Sequence, residues 1–370
     1  MTISEPTARP WSDLAIPPGE FLEEEMTELG MTQQDLAHRT GRPVQVINEI
    51  IRGKKAITQD TALELERVLG IPAHLWVNLE AEYQLTKARV REEEELARQT
   101  EWLSEFPVRE MEAFGWIAKG TTKNERLRNI LKFFGVASFA AYQKTAFTKT
   151  AAMGYRITPG AKVRLSEGAL NAWLRKGELD GHNVEAEPYE QTKFLGVVRD
   201  IRGMADKPAP TVLADMVAAC ASAGVALVLT RPLPKSAASG CARWLTPQKA
   251  LIQLSVRGLS DDRLWFDFFH ECGHVVKHKV RQVFVEGLDG GSPEENEADR
   301  FACDQLVPRS AWDSFVAERN FNANSVTEFA AQARVTPGVI VGRLQHEKLV
   351  SYSALNHLKT RLRWTEEEDE

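Results

Sequence analysis

Residues 270 to 278 read HECGHVVKH, and no other stretch restricts the fold as much. They follow an aromatic run, DDRLWFDFF, in which Trp265, Phe268, Phe269, Cys272 and Val276 recur at i, i+3, i+4, i+7 and i+11. That spacing predicts one helix with one buried stripe. His270 and His274 stand four residues apart, so both imidazoles leave the same face about one turn from each other. One ion can touch both. Glu271 lies about 100° round the helix, close enough to reach a water on that ion. H-E-x-x-H is thus two ligands and a general base on one helix. Cys272 falls on the packed stripe and reads as a small core residue.

His278 returns to the metal face, but its rise from His270 is about 12 Å, against a Zn–N bond of about 2 Å. Three histidines on a straight helix cannot close round one ion. The metzincin pattern solves this with a glycine turn before its third histidine, and no such glycine stands here. His278 reads instead as a helix-end residue favoured by the helix dipole. The third ligand must come from elsewhere, and the next acidic cluster, GSPEENEADRFACDQLVP at 291 to 308, offers candidates. Ser292 and Pro293 look like the cap and first residue of a new helix. Glu295 and Asp299 share one face of it, and Ala298 and Ala302 are small enough for close approach to the first helix. The separation of 21 residues between His274 and Glu295 resembles that of the thermolysin-like zincins. There a downstream glutamate is the third ligand, and an aspartate four residues later orients a ligand histidine. The resemblance implies that Glu295 completes the ligand set and that Asp299 holds His270 or His274. Glu297, on another face, is the competing ligand. The fourth zinc position would hold water, as in catalytic sites.

The chain has 370 residues, enough for two or three domains, and 43% of them are hydrophobic. A net charge of −6 argues against wholesale coating of nucleic acid but leaves room for local basic patches. The first residues, MTISEPTARPWSDLAIPPGEF, lack the apolar stretch of a secretion signal. Apolar runs such as VALVL at 225 to 229 are too short to span a bilayer. Cysteines at 220, 241, 272 and 303 form no disulfide or C-x-x-C pattern. The expectation is a cytoplasmic protein with reduced thiols and no membrane partner.

Residues 17 to 70 read as short helices broken at glycines. Thr32 caps the second, Gly41 makes a tight turn, and Val44, Ile47 and Ile51 give the third one apolar face. This is a helix-turn-helix layout with 43 to 52 as the recognition helix. Between 31 and 55, Arg39, Arg42, Arg52, Lys54 and Lys55 face only Asp35 and Glu49, so the local charge is 5 − 2 = +3. Gln45, Asn48 and Arg52 are expected to face outward and read base edges. Lys54 and Lys55 suit phosphates, and Arg42 joins the expected DNA contacts. The pattern T-Q-x-x-L-A, then GKKAIT and A-x-x-L-E-x-x-L-G, resembles the XRE (Cro/repressor) family. The opening P-P-G-E-x-L-x-E is similar to HigA-type antitoxins. The resemblance implies double-stranded operator DNA as partner and a homodimer on a near-palindrome.

Residues 101 to 205 are helical in pattern, with Trp102, Trp116, Phe133, Phe134 and Trp173 as core anchors. From 211 a helix ends at Gly224, VALVLT reads as a buried strand, and CARWLTPQKALIQLS as a hairpin turning at Thr246 and Pro247. The order from 211 to 350, with GVALVL, GCARWL, ALIQLS, DDRLWFDFFHECGH, EADRFACDQLVP and VTPGVIVGRLQHEKLV, resembles the ImmA/IrrE metallopeptidases. Cys272 departs from that family's usual alanine or leucine. Members of the family cleave XRE-class repressors. The resemblance implies a zinc metalloendopeptidase with Glu271 as base. An edge strand at 250 to 255 would align an extended peptide, and Arg243, Arg257 and His346 are candidates to stabilise the oxyanion.

The expected fold is mainly α with a small α+β unit. A helix-turn-helix bundle at 14–80 leads through a charged connector at 81–105 to a helical middle region at 106–210. A zincin-like domain with a small sheet follows at 211–350, then an acidic tail at 351–370. The expected function is a DNA-binding regulator with a latent zinc peptidase that cuts an XRE-type repressor or its own connector. The alternative is a HigA-like antitoxin or repressor whose metal domain senses a ligand or binds a cognate toxin.

Overall fold

The computed structural model describes residues 14–152, 166–236, 238–256, 260–278, 284–285 and 293–364. The chain divides into two compact units, Met1–Thr100 and Glu101–Glu370. Among the described residues, no helix is long and apolar enough to cross a membrane.

The first unit holds α1 (Pro18–Glu28), α2 (Gln33–Thr40), α3 (Val44–Ile51), α4 (Gln59–Leu69) and α5 (Ala73–Ala97). Local chemistry sets the α2–α3 turn. Thr32 Oγ1 accepts from the Asp35 N–H at 3.1 Å, and Asp35 accepts from the Thr32 N–H at 3.0 Å, a closed capping box. Gly41, at φ +70°, ends α2 in the left-handed conformation that a side chain would resist. Leu22, Met26, Leu36, Ile47, Ile50, Leu65 and Trp76 form the core. One expected core residue is misplaced: Val44 is 43% exposed, and Ile50, 2% exposed, takes the inner position. Both assignments fit a helical wheel through Ile47 and Ile51; packing of α3 on both α1 and α2 selects the second.

The segment 81–105, expected as a charged connector, is helix through Ala97, followed by a 3₁₀ turn at Thr100–Ser104. Its run VREEEELARQ is rich in strong helix formers, so its charges decorate a helix rather than prevent one.

The second unit runs α6 (Val108–Ala113), α7 (Lys123–Phe134), α8 (Phe139–Ala152), α9 (Glu167–Asn183), α10 (Gln191–Arg202) and α11 (Ala209–Ser222). Strands β1 (Val225–Leu229), β2 (Gly240–Thr246) and β3 (Lys249–Leu254) follow, then α12 (Asp261–Lys277), β4 (Phe284–Val285) and α13 (Pro293–Leu306). It closes with α14 (Arg309–Ala317), α15 (Ala323–Ala333) and α16 (Pro337–His346). The sheet order is β1-β3-β2-β4, with β1 parallel to β3 and the other pairs antiparallel.

Alternation along the strands faces the sheet two ways. Val225, Leu227, Ala242, Ala250 and Ile252 join Trp265, Phe268, Phe269 and Cys272 of α12 in the main core. Full burial of a side chain such as Phe268 stabilises by roughly 1.5–3 kcal/mol. The other face carries Ala226, Val228 and Leu251 and is met by α9, where Gly177 abuts Gln253 and Gly181 abuts Leu251. Trp173 of α9 is fully buried and donates Nε1–H to the Thr230 carbonyl at 3.2 Å. Trp102, Trp116 and Phe134 are half-buried members of an aromatic cluster that includes buried Phe133.

The structure shows no boundary at 210/211. Phe194, Val198 and Ile201 of α10 enter the same core as α12, so 106–210 and 211–350 belong to one unit. The tail expected at 351–370 is also packed as far as Trp364. Lys359 Nζ pairs with Asp262 at 2.6 Å, the Thr360 N–H donates to Asp261 at 2.9 Å, and Leu362 is 8% exposed. Only TEEEDE carries the acidic run, and 365–370 lie outside the described residues.

Candidate metal centre and nucleic-acid interface

Helices α12 and α13 pack closely because small residues meet where they approach. A Cβ at Gly273 would lie 3.1 Å from the Ala298 Cα, and Ala298 and Ala302 are fully buried. This contact brings α13's carboxylates onto the histidine face of α12. His270, His274 and Glu295 each offer a ligand atom within 4.8 Å of the other two, and among the described residues they form the one such cluster. His270 Nε2 lies 3.0 Å from His274 Nε2, and each is 3.2 Å from a Glu295 oxygen. All three residues are buried, at 1%, 1% and 6% exposure.

Asp299 Oδ1 lies 2.9 Å from His270 Nδ1, on the ring edge away from the cluster. Between the two histidines that spacing left open, the structure thus gives Asp299 to His270. Glu297 stands outside the cluster, with Oε2 3.3 Å from His278 Nε2. His278 caps the C-terminus of α12, its N–H bonded to the His274 carbonyl at 2.9 Å.

Burial pushes the His274 imidazole below its ordinary range, which keeps a ring nitrogen free of an extra proton. Burial also pushes Glu295 upward, but hydrogen bonds and charge from His270 and His274 outweigh it and hold the carboxyl at about 2. Two imidazoles and one carboxylate are a donor set that could hold a divalent ion.

Glu271 is fully buried beside these ligands. Its position depends on Gly240 at the start of β2, where a Cβ would lie 2.2 Å from Glu271 Oε1. Gly240 and Gly273 were not singled out from sequence. The signal available was a glycine inside each regular element, which commonly marks close approach.

Two expectations around this centre are corrected. The strand at 250–255 is not an edge: β3 pairs with β1 on one side and β2 on the other. A parallel β1–β3 pairing places the later strand between the two earlier ones, an arrangement that a hairpin pattern does not reveal. Arg243 does not reach the metal side. It alternates onto the α9 face, where Nη2 donates to the Leu174 carbonyl at 2.6 Å and Nη1 lies 3.7 Å from Glu178. Arg257 lies outside the described residues. His346 is exposed and its ring is 6.4 Å from that of Phe266, which is 6.0 Å from His270.

On the first unit, Gln45, Arg52, Lys54 and Lys55 are exposed around α3. Gln45 Nε2 donates to Glu49 at 2.9 Å within the helix. Asn48 is half-buried and donates to Gln33 of α2 at 3.1 Å, so it ties the two helices rather than projecting freely. Arg42 is paired with Glu64 of α4 and is three-quarters covered. Both side chains serve the turn geometry in this structure.

The helix-turn-helix family model matches residues 22–76. The chain is 41% identical over 75 residues to virulence-associated protein I of Dichelobacter nodosus, covering 20% of this chain and 69% of that protein. It is 27% identical over 71 residues to the uncharacterised HTH-type transcriptional regulator YddM of Escherichia coli K12, covering 19% of this chain and 76% of that one. Among solved structures, a HigA-family addiction module antidote protein of Coxiella burnetii is 32% identical, with a TM-score of 0.22, covering 23% of this chain and 92% of that one. Pseudomonas aeruginosa antitoxin HigA with the higBA promoter is 33% identical, with a TM-score of 0.20, covering 20% and 83%. At these TM-scores the relation rests on sequence identity and not on superposition. Through its N-terminal unit, the chain belongs to the XRE-type, HigA-like helix-turn-helix family.

Proposed function

We propose that this protein is a transcriptional regulator that binds operator DNA as a dimer through α3 and carries a latent zinc metalloendopeptidase centre on α12 and α13. The DNA half is supported by the family and by the solved DNA complexes of its relatives. Antitoxin HigA was solved with the higBA promoter, and PA4674 of Pseudomonas aeruginosa with its operator DNA. The exposed Arg52, Lys54 and Lys55 supply positive charge at the end of α3.

The observation that carries the peptidase half is the convergence of His270, His274 and Glu295. Their donor atoms are 3.0–3.2 Å apart. A tetrahedral ion with bonds of about 2.0–2.1 Å has ligand–ligand edges of roughly 3.3 Å. The spacing of the donor set therefore fits zinc with little movement. Zinc bound there would polarise a peptide carbonyl and acidify water. Glu271 would accept the water's proton at a carboxylate oxygen and return it to the departing amine. Gly240 keeps room for that carboxylate. Asp299 lies where it can accept the His270 Nδ1–H, and in that tautomer Nε2 would keep the lone pair that binds a metal.

An XRE-type repressor, or the protein itself, is the proposed substrate. The segment 81–97 is helical here, so self-cleavage there requires local unfolding first. That requirement fits a latent enzyme. The second reading, an antitoxin whose metal centre senses a ligand or binds a toxin, is favoured by the likeness to two HigA-type antidote proteins. Incubation of zinc-loaded full-length wild type and Glu271→Gln with XRE-type repressors decides between them. Site-specific cleavage by wild type alone supports the peptidase. Rapid digestion of casein contradicts latency, and the absence of any cleavage under every trigger supports the sensor or antitoxin.

A further inference from the structure

The two ligand histidines are held differently on their outer edges. His270 presents Nε2 to Glu295 and Nδ1 to the Asp299 carboxylate at 2.9 Å. His274 also presents Nε2 to Glu295, but its Nδ1 lies 3.2 Å from Nδ1 of His278. His278 in turn places Nε2 3.3 Å from Glu297 Oε2. Its side chain is 11% exposed, so the ring is fixed inside the fold.

These contacts define a proton arrangement for a loaded site. A histidine that binds a metal through Nε2 carries its proton on Nδ1 and needs an acceptor there. For His270 the acceptor is Asp299. For His274 the group placed against that proton is the Nδ1 lone pair of His278. His278 accepts at Nδ1 only as the tautomer protonated at Nε2, and Glu297 lies where that second proton can be donated. Both histidines then end at a carboxylate of α13, His270 directly and His274 through one intervening imidazole.

We propose that His278 and Glu297 are positioning residues of the metal centre: His278 fixes the tautomer and ring angle of His274, and Glu297 fixes His278. This inference rests on the reading of His270, His274 and Glu295 as zinc ligands. It also explains two residues that the ligand set leaves out. His278 contacts the ring edge of His274 opposite the cluster, and Glu297 belongs to that outer contact. The helix end contributes: α12 stops at His278, where the chain leaves helical geometry at φ −112°, ψ 80°.

The test is zinc affinity of the full chain by competition with a chromophoric chelator, paired with ¹⁵N-histidine NMR of the zinc-loaded protein. His278→Ala should weaken zinc binding by about 10- to 100-fold, the usual cost of losing an outer hydrogen-bond partner. His278→Gln, whose amide oxygen can accept the same proton, should recover part of that loss. Glu297→Gln should give a smaller loss, and Arg309→Ala, at an exposed side chain paired with Asp313, should give none. In the NMR spectrum, His278→Ala should expose the His274 Nδ1–H to solvent exchange and leave the His270 Nδ1–H protected. A packing role alone would not separate the two protons. Should His278→Ala fail to fold, the Gln variants decide by the same two readouts. Wild-type zinc affinity and a protected His274 proton in the His278 and Glu297 variants overturn the proposal while keeping the ligand assignment. A folded wild type that binds no zinc overturns the ligand assignment, and this proposal falls with it.

Discussion

At α3, the side chains proposed to read DNA, Gln45 and Arg52, stand in water, whereas at the proposed metal centre His270, Glu271 and His274 are exposed by no more than 1%. The cost of a polar group differs sharply between these settings. An exposed glutamine or arginine needs no internal partner. A buried imidazole or carboxylate without one costs about 1–3 kcal/mol or more. The proposed metal centre therefore carries a second layer of groups, Asp299, His278 and Glu297, whereas on α3 Gln45 pairs within its own helix with Glu49. Substitutions at the first site should change binding with little effect on folding, and those at the second should affect both.

The largest expected effect lies at the buried site. Glu271→Gln should lower any peptide hydrolysis by about 10²- to 10⁴-fold, the usual contribution of a general base, and leave the zinc content unchanged. Loss of zinc in this variant, read by metal analysis, would make Glu271 a ligand and break the division of roles. Gly240→Ala sharpens the same point. The three atoms nearest its Cβ would all belong to Glu271, so turnover should fall with zinc retained. Retained turnover would show that the Glu271 carboxylate has room to move.

Within the first unit, the comparison reduces to two apolar residues of one helix. Ile50→Ala should destabilise the unit by about 2–5 kcal/mol. Val44→Ala should change it by no more than about 0.5 kcal/mol. Denaturant unfolding of both variants measures this, and equal losses would restore Val44 to the core. The exposed contacts should act on binding rather than on stability. Gln45→Ala or Arg52→Ala should cost about 1–3 kcal/mol at single base positions. Lys54→Ala should weaken all sequences alike and reduce the salt slope by about one. A base-specific loss in Lys54→Ala, seen in binding titrations over several salt concentrations, would move it from phosphate to base contact.

Legibility in the sequence followed the range of the interactions. Thr32, Asp35 and Gly41 act within a few residues of themselves, so the cap and turn of the first unit could be read directly. The four-residue spacings of His270 with His274 and of Glu295 with Asp299 are equally local, and they placed the cluster on two helix faces. Joining those faces took a resemblance in spacing, because the Gly273–Ala298 contact lies between helices. What failed was nonlocal. The parallel pairing of β1 with β3 buries the strand expected at the edge. The alternation of β2 turns Arg243 toward α9. Lys359 and Thr360 fold back onto Asp262 and Asp261, which removes most of the expected tail. Ile50 and Val44 were interchangeable on a helical wheel and were separated by the packing of α1 and α2 on α3.

The most direct test of the metal centre is the zinc content of the purified full chain, wild type against His270→Ala, Glu295→Ala and Glu297→Gln, after dialysis at fixed free zinc. The expected result is one zinc per wild-type chain, loss of most of it in the first two variants, and stoichiometric though weaker binding in the third. Normal zinc in Glu295→Ala with loss in Glu297→Gln would contradict the assignment of the third ligand, and no zinc in a folded wild type would contradict the metal centre itself.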